Sequence, residues 1–284
     1  MTLTIDGRRI GYDDSGGAGV PAVLLHGFPL DRTVWDEQIT ALTAAGARVI
    51  RIDLRGCGES EPSDGPALME ALAGDVAGVL DALHVERAAV VGHSIGGYVA
   101  LAFFRMYEER VAGLALVASH VAEDASRNAN ADPAQRELAA SRDELAARIE
   151  RDGTMDAAIE SYLPRYFAPS VYREHPELAE RARAIMQRQN PRGCAQLVRG
   201  MKERLDSHDL LEDVRVPALV IAGAHDAYLR AETLRETATA IAGAEFVQLD
   251  GVGHLPMFEA PAETANALAV FAQRVRVIAY RGLR

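Results

Sequence analysis

The chain has 284 residues, 49% of them hydrophobic, and a net charge of −11. The apolar fraction is sufficient for a buried core and argues against disorder. The acidic balance argues against nucleic-acid or anionic-membrane partners, which prefer a basic surface. The two cysteines, Cys57 and Cys194, are too few for a disulfide framework. The N-terminus lacks a signal-peptide pattern, and no apolar run reaches about 18 residues, so we predict a cytoplasmic protein with no membrane partner.

The first 120 residues alternate strand patterns with helical patterns. Asp6-Gly7 between two short apolar runs predicts a hairpin. Further strands are predicted at Ala22–Leu25, Arg48–Leu54, Ala88–Val91 and Val111–Ala118, with helices over residues 32–45, 68–83 and 98–107. Such alternation predicts right-handed crossovers and a mostly parallel sheet, whose sites form at the carboxyl ends of the strands. His26, Asp53, Ser94 and His120 each follow a predicted strand.

The alternation stops between about residues 120 and 216. Two segments there, Ala134–Ile149 and Pro176–Gln189, have helical character, and Leu138, Leu145 and Ile149 form an apolar stripe on the first. We predict a helical cap over residues 120–208 that covers the strand ends, inserted into a core domain of residues 1–119 and 209–284. The charge runs Arg136–Arg151 and Glu174–Arg188 are interpreted as solvated helix faces.

The alternation resumes after the predicted cap. Ala218–Ala222 and Glu245–Leu249 have strand character, and a helix is predicted between them from Glu232 to Ile241. A closing helix is predicted to begin near Pro261, because proline favours the first turn of a helix.

The sequence G-H-S-I-G at residues 92–96 joins a predicted strand to a predicted helix. This G-x-S-x-G pattern, in a strand–turn–helix setting, is typical of a nucleophile elbow, where strained backbone exposes the serine hydroxyl. Ser94 is therefore the predicted nucleophile. The N–H of Ile95, at the start of the helix, is a predicted donor to an oxyanion.

A serine nucleophile needs a base, and the base needs an orienting carboxylate. His254, in the loop after the last predicted strand, is the best base, and Asp226, after the preceding strand, is the best carboxylate. The chain order Ser, Asp, His is the order known for nucleophile-elbow hydrolases. Asp250 is an alternative acid because it lies close to His254, and Glu123 or Asp124 is another because both follow the strand after the elbow.

The other histidines and the loop after the first central strand are assigned supporting roles. His225 is predicted to turn away from Asp226, and His93 and His26 are interpreted as structural hydrogen-bonding residues. The N–H of Phe28 is the predicted second oxyanion donor. Asp53 and Arg55 are expected to brace their own loop.

Five stretches together resemble the α/β-hydrolase superfamily, in its esterase, lactonase and haloperoxidase-like branch. They are H-G-F-P at 26–29, D-L-R-G-C-G-E-S at 53–60, G-H-S-I-G-G at 92–97, G-A-H-D at 223–226 and G-V-G-H at 251–254. The resemblance implies eight strands, with a helical cap between the sixth and seventh. It also implies Ser94, Asp226 and His254 as the triad and Phe28 and Ile95 as oxyanion donors. Haloalkane- and epoxide-cleaving members carry aspartate at the elbow, so Ser94 argues against both activities.

The sequence thus predicts a serine hydrolase, without cofactor or metal, that acts on a small carboxylic ester or lactone. We expect the substrate to be largely apolar around its carbonyl, because a cap over a sheet edge encloses an apolar pocket. Phe28 is the predicted pocket wall, with Tyr162, Tyr166, Phe167 and Phe258 as further candidates. Alternatives are hydrolysis of a carbon–carbon bond or an enol-lactone, perhydrolysis, and a small-molecule receptor that retains the triad for binding.

Overall fold

The protein is built on one eight-stranded sheet. The computed structural model describes residues 1–124 and 133–281. Its strands are β1 (Thr2–Ile5), β2 (Arg8–Asp14), β3 (Val20–Leu25), β4 (Ala47–Ile52), β5 (Ala88–His93), β6 (Val111–Val117), β7 (Ala218–Gly223) and β8 (Glu245–Leu249). They are arranged in the order β1-β2-β4-β3-β5-β6-β7-β8. The β1–β2 and β2–β4 pairs are antiparallel and the other pairs are parallel, which confirms the predicted fold class.

Eleven α-helices connect or follow these strands within the described residues. They are α1 (Ile39–Ala44), α2 (Met69–Ala82), α3 (Ile95–Met106), α4 (Pro133–Asp152), α5 (Asp156–Tyr162), α6 (Val171–Glu174), α7 (Pro176–Gln187), α8 (Pro191–Lys202), α9 (Ala231–Ala240), α10 (Pro256–Glu259) and α11 (Pro261–Arg281). The helix predicted over residues 32–45 is divided: a 3-10 segment, Arg32–Gln38, precedes α1. Asp31 caps this segment, because its side chain accepts the N–H of Thr33.

The centre of the sheet carries the core. Every residue of β5 is buried, because β3 and β6 pair with its two edges and helices cover its faces. This is why residues 88–93 are apolar apart from the histidine at the end. The central strands deliver their C-terminal loops to one edge, where the candidate site lies.

The helices α4 to α8, here called the helical insertion, lie between β6 and β7. Ion pairs and hydrogen bonds attach the insertion to the loops at the strand ends. Arg188 pairs with the buried Asp31 at 2.8 Å, and the Gln189 side chain accepts the N–H of Gly58 at 2.8 Å. Residues 125–132 of the predicted cap, and 282–284 of the predicted core domain, lie outside the described residues.

Two observations concern the predictions of no membrane-spanning segment and of too few cysteines for a disulfide framework. None of the helices in the described part of the chain has both the length and the apolar character that crossing a membrane requires. Cys57 and Cys194 are both buried free thiols.

Candidate active site

Ser94 lies in a strained turn between β5 and α3. Its φ of 51° and ψ of −118° are unusual for a residue with a Cβ, and such strain is a feature of functional sites. Two neighbouring glycines allow the turn to be this tight. A Cβ on Gly92 would lie 2.2 Å from the carbonyl oxygen of Gly96, and one on Gly96 would lie 2.4 Å from that of Leu25 in β3. Gly92 and Gly96 therefore allow the close backbone contact that this turn requires.

Hydrogen bonds hold the elbow backbone in this conformation. The N–H of Ser94 donates to the carbonyl of Val117 at 3.0 Å, and the Ser119 hydroxyl donates to the carbonyl of Ser94 at 2.8 Å. The same carbonyl accepts the N–H of Gly97 at 2.9 Å. Helix α3 begins at Ile95, so the N–H of Ile95 belongs to the first turn, whose donors have no partner within the helix.

The structure brings Asp226 and His254 together from two loops. The Nδ1 atom of His254 lies 2.8 Å from Oδ2 of Asp226, which is completely buried. The other oxygen, Oδ1, accepts the N–H groups of Tyr228 at 2.8 Å and Leu229 at 3.1 Å, and this fixes the carboxylate. Because a carboxylate accepts, Nδ1 carries the proton and Nε2 keeps a lone pair, as a general base requires.

The alternative acids lie elsewhere. Asp250 is exposed at the end of β8. The buried Asp124 is engaged by two arginines, since Oδ2 accepts from Nε of Arg142 and Oδ1 contacts Nη1 of Arg204. Asp226, the acid that the sequence favoured, is hydrogen-bonded to His254.

His254 is enclosed by aromatic rings and is only 5% exposed. The Tyr166 ring from the helical insertion stacks on it, with centroids 5.8 Å apart, and the carbonyl of Tyr166 accepts the N–H of His254 at 2.8 Å. His93 donates from Nε2 to the carbonyl of His254 at 2.8 Å. Burial lowers the pKa of His93 well below its usual value, so its ring is neutral and has the predicted structural role.

Glu259, which the sequence did not single out, holds the loop on both sides of His254. Its carboxylate accepts the N–H groups of Gly253 at 2.9 Å and Leu255 at 3.2 Å. It also accepts the N–H of Ala168 in the helical insertion at 2.7 Å. Burial raises the pKa of Glu259 to about 7, against the opposing effect of the three N–H donors. Glu259 is therefore a positioning residue for this loop.

We expect Glu259→Gln to destabilise the protein by about 1–3 kcal/mol at pH 5, because the amide nitrogen cannot accept a buried N–H. Because the pKa of Glu259 is raised, the folded protein holds a proton on this carboxyl between about pH 4.5 and 7, whereas the unfolded chain has released it. The contribution of Glu259 to wild-type stability therefore falls as the pH rises through this range. The cost of Glu259→Gln should therefore be smaller at pH 8 than at pH 5. Urea unfolding at both pH values measures it, with the exposed Glu263→Gln as the control. A cost that grows with pH would contradict the raised pKa.

The loop after β3 is fixed by a buried histidine and by a tyrosine of the insertion. His26 donates from Nδ1 to the carbonyl of Gly27 at 2.8 Å and accepts the N–H of Leu54 on Nε2 at 2.9 Å. Burial lowers its pKa, so the neutral ring is a structural anchor, as predicted. The Tyr166 hydroxyl donates to the carbonyl of Phe28, which orients that residue at the cavity.

Asp53 and Arg55 do not pair with each other. Asp53 binds Arg32 and accepts the N–H of Glu59 at 2.9 Å, whereas Arg55 pairs with Asp75 of α2 at 2.5 Å. The expectation that both brace their own loop is therefore right for Asp53. It is wrong for Arg55, whose long side chain reaches a carboxylate on the packed helix.

A cavity of about 320 Å³ lies between the strand ends and the helical insertion. Phe28, Ser94 and His254 line it on the sheet side, and Tyr162 and Tyr166 line it on the insertion side. Phe167 and Phe258 are not among its lining residues; their rings stack on each other, with centroids 6.4 Å apart.

The expectation of an apolar pocket is met only in part, because apolar residues such as Leu145, Met201 and Leu229 line the cavity beside polar ones. Among the described residues, the lining also includes four polar side chains of the insertion, namely Ser141, Arg142, Ser161 and Arg165. The reason is that α4, the end of α5 and the 3-10 segment Leu163–Arg165 place polar residues at the cavity.

Arg142 is the functional candidate that the sequence interpretation missed. Its side chain is 11% exposed, so it does not belong to a solvated helix face. A signal was present in the sequence: Leu138, Arg142 and Leu145 follow the spacing of one helix face, so Arg142 interrupts the apolar stripe of α4.

Within residues 1–124 and 133–281, no group of three or more His, Cys, Asp or Glu side chains is arranged to hold a metal ion.

Known proteins match nearly the whole chain. The alpha/beta hydrolase family profile matches residues 22–267, a range that includes Ser94, Asp226 and His254. A candidate carbamate hydrolase, RutD of Azorhizobium caulinodans, is 31% identical over 245 residues, or 86% of this chain and 87% of its own. A malate-bound thermophilic esterase from Thermogutta terrifontis is 36% identical, with a TM-score of 0.89 over 97% of this chain and 98% of its own. The enol-lactonase from Burkholderia xenovorans LB400 is 28% identical, with a TM-score of 0.84 over 95% and 99%.

Proposed function

The chain belongs to the alpha/beta hydrolase family, and we propose that it is a serine hydrolase that cleaves a small carboxylic ester or lactone through an acyl-enzyme intermediate. One observation carries the proposal: a single cavity is lined by Ser94 in its strained turn and by His254 with its hydrogen bond to the buried Asp226. These three residues come from three loops at the carboxyl edge of the sheet. A nucleophile, a base and an orienting acid are the groups that acyl transfer requires.

In the proposed reaction, Oγ of Ser94 attacks the substrate carbonyl while Nε2 of His254 takes the hydroxyl proton. Asp226 holds the imidazole through Nδ1 and stabilises the imidazolium that forms. The backbone N–H groups of Phe28 and Ile95 bind the oxyanion of the tetrahedral intermediate. His254 then returns the proton to the leaving alcohol, whose bond to the carbonyl carbon breaks.

Deacylation repeats these steps with water as the nucleophile. His254 removes a proton from water, hydroxide adds to the acyl carbon, and the collapse of the second intermediate releases the acid and restores Ser94. The helical insertion acts as a cap in this proposal, because its Tyr166 ring stacks on His254, and Tyr228 from the loop after β7 contacts the same imidazole. No metal or cofactor takes part, and we propose that the protein works in the cytoplasm.

Lactone hydrolysis is supported by the likeness to an enol-lactonase over 95% of this chain. A lactone and an ester pass through the same tetrahedral intermediate, so the triad does not distinguish them. A panel of short-chain aryl esters, γ-lactones and enol-lactones, assayed with one preparation, separates the two substrate classes.

Labelling with a fluorophosphonate tests the identity of the nucleophile. We expect the folded protein to take up one equivalent, and peptide mass spectrometry should place the adduct on Ser94, because only an activated serine attacks phosphorus rapidly. The Ser94→Ala variant and urea-unfolded wild type are the controls, and neither should react. An adduct on another residue, or equal labelling of the variant, would exclude the proposed mechanism.

A further inference from the structure

We propose that Arg142 binds a carboxylate of the substrate, so that this hydrolase acts on an ester or lactone that carries a second, ionised carboxyl group. The inference rests on the proposed function, because it names the substrate class of the same cavity. It arises from a largely buried arginine in a cavity wall that had been expected to be apolar.

Arg142 lies in α4 and lines the cavity that also contains Ser94 and His254. Its Nη1 atom contacts the Tyr162 hydroxyl at 3.3 Å and the Met201 sulfur at 3.5 Å, both of them weak interactions for a guanidinium. The Tyr162 ring is in turn 5.2 Å from the Phe28 ring, centroid to centroid. Arg142 is thus connected through one aromatic side chain to the residue proposed as an oxyanion donor.

In the described part of the chain, Arg142 shares its carboxylate partner with a second arginine. Asp124 is shared by two guanidinium groups, those of Arg142 and Arg204. Arg204 also donates to the carbonyls of Ala122 and Met201, so it is held in place without Arg142. Among the ion pairs of the described residues, Asp124 is one carboxylate shared by two arginines, and an incompletely paired charge is costly in a largely buried site. A substrate carboxylate would complete the pairing.

The charged side chains among the described lining residues of the cavity are also positive. It includes Arg142 and Arg165 but no aspartate or glutamate, although the whole protein has a net charge of −11. Arg165 is exposed, with its guanidinium 4.6 Å from the centroid of the Tyr228 ring, which itself contacts His254. A cationic cavity in an acidic protein attracts anionic ligands and repels cationic ones. The planar fork of an arginine also matches a carboxylate geometrically.

Matched pairs of esters test the inference in the wild-type protein. Monomethyl adipate is compared with methyl hexanoate, which places the carboxylate on the acyl side. The anion 4-acetoxybenzoate is compared with its methyl ester, which places the carboxylate on the alcohol side. We expect kcat/KM for at least one anionic ester to exceed that of its neutral partner by about 10-fold or more, in line with a hydrogen bond to a charged group.

Variants of Arg142 assign the preference to this residue. Arg142→Met should lower kcat/KM for the preferred anionic ester by on the order of 10- to 100-fold more than it lowers kcat/KM for the neutral partner. Arg142→Lys should retain part of the preference, because it keeps the charge but loses the fork. Arg148→Met is the control, since Arg148 is on the same helix but pairs with Glu160 on the surface.

A binding measurement separates this inference from the proposed function. Calorimetry with the Ser94→Ala protein should detect binding of the preferred anionic ester, and Ser94→Ala/Arg142→Met should lose it. If neutral esters are cleaved through Ser94 but neither anionic ester is preferred, the role of Arg142 is wrong and the proposed hydrolase stands. If Ser94→Ala/Arg142→Met binds the anion as tightly as Ser94→Ala does, the inference is wrong whatever the hydrolysis shows. If no ester is hydrolysed but binding depends on Arg142, it is the proposed function that fails.

Discussion

We expect the Ser94→Ala variant to lose about 10⁶-fold in kcat on its best ester substrate, with KM almost unchanged. The hydroxyl of Ser94 is the only proposed covalent nucleophile in the cavity, and alanine leaves nothing to be acylated. The variant should fold normally, because Ser94 lies in an elbow held by backbone hydrogen bonds and by the side chain of Ser119. Thermal unfolding of both proteins provides that check.

The same experiment has a second arm at His254. His254→Ala should cost as much as Ser94→Ala, and the double variant should be no slower than either single variant, since nucleophile and base act as one unit. Ser141→Ala is the matched control, because this serine also lines the cavity but belongs to no proposed catalytic group. Ser94→Ala activity within 10-fold of wild type would mean that another residue or a bound water performs the attack.

Asp226→Asn is the second large prediction, with an expected loss of about 10⁴-fold in kcat. Asparagine can keep its oxygen on the N–H groups of Tyr228 and Leu229, which Asp226 now binds through Oδ1. Its amide nitrogen then faces His254 and donates to Nδ1. The imidazole consequently carries its proton on Nε2, where it cannot accept the proton of Ser94.

The pH dependence of kcat and a neighbouring variant test this explanation. The wrong-tautomer mechanism predicts that Asp226→Asn regains part of its activity at high pH, where hydroxide can replace the general base. Asp250→Asn, which removes an exposed carboxylate from the loop before His254, should leave kcat within about 2-fold. If Asp250→Asn lost as much activity as Asp226→Asn, the assignment of the acid would be reversed.

The sheet and its central motif were predictable because they depend on local patterns. β5 is a continuous apolar run that ends in Gly-His-Ser-Ile-Gly, and the glycines at 92 and 96 are needed where backbones approach closely. The loops that carry Asp226 and His254 follow strands with equally clear patterns. In the structure, the side chains of Asp226 and His254 are joined by a hydrogen bond of 2.8 Å.

The environment of the cavity was not predictable in the same way. Arg142 belongs to a run of charged residues that local pattern assigns to solvent, and only packing of α4 over the strand ends buries it beside Asp124 and Arg204. Glu259 lies on a four-residue helix, and its three N–H partners come from segments up to 91 residues away in the chain. The spacing of Leu138, Arg142 and Leu145 places Arg142 on the apolar face of α4, but the partners of Arg142 and Glu259 depend on the packing of distant segments.

The amino-acid sequence alone determined the strand order along the chain, the elbow at Ser94 and the approximate extent of two inserted helices, α4 and α7. These depend on periodicity, turn residues and backbone conformation, which are properties of neighbouring residues. Only the tertiary structure decided which side chains of the insertion face Ser94, and therefore that the cavity is cationic. That outcome depends on how whole elements pack, since a small rotation of α4 about its axis would exchange Arg142 for another residue of the same helix.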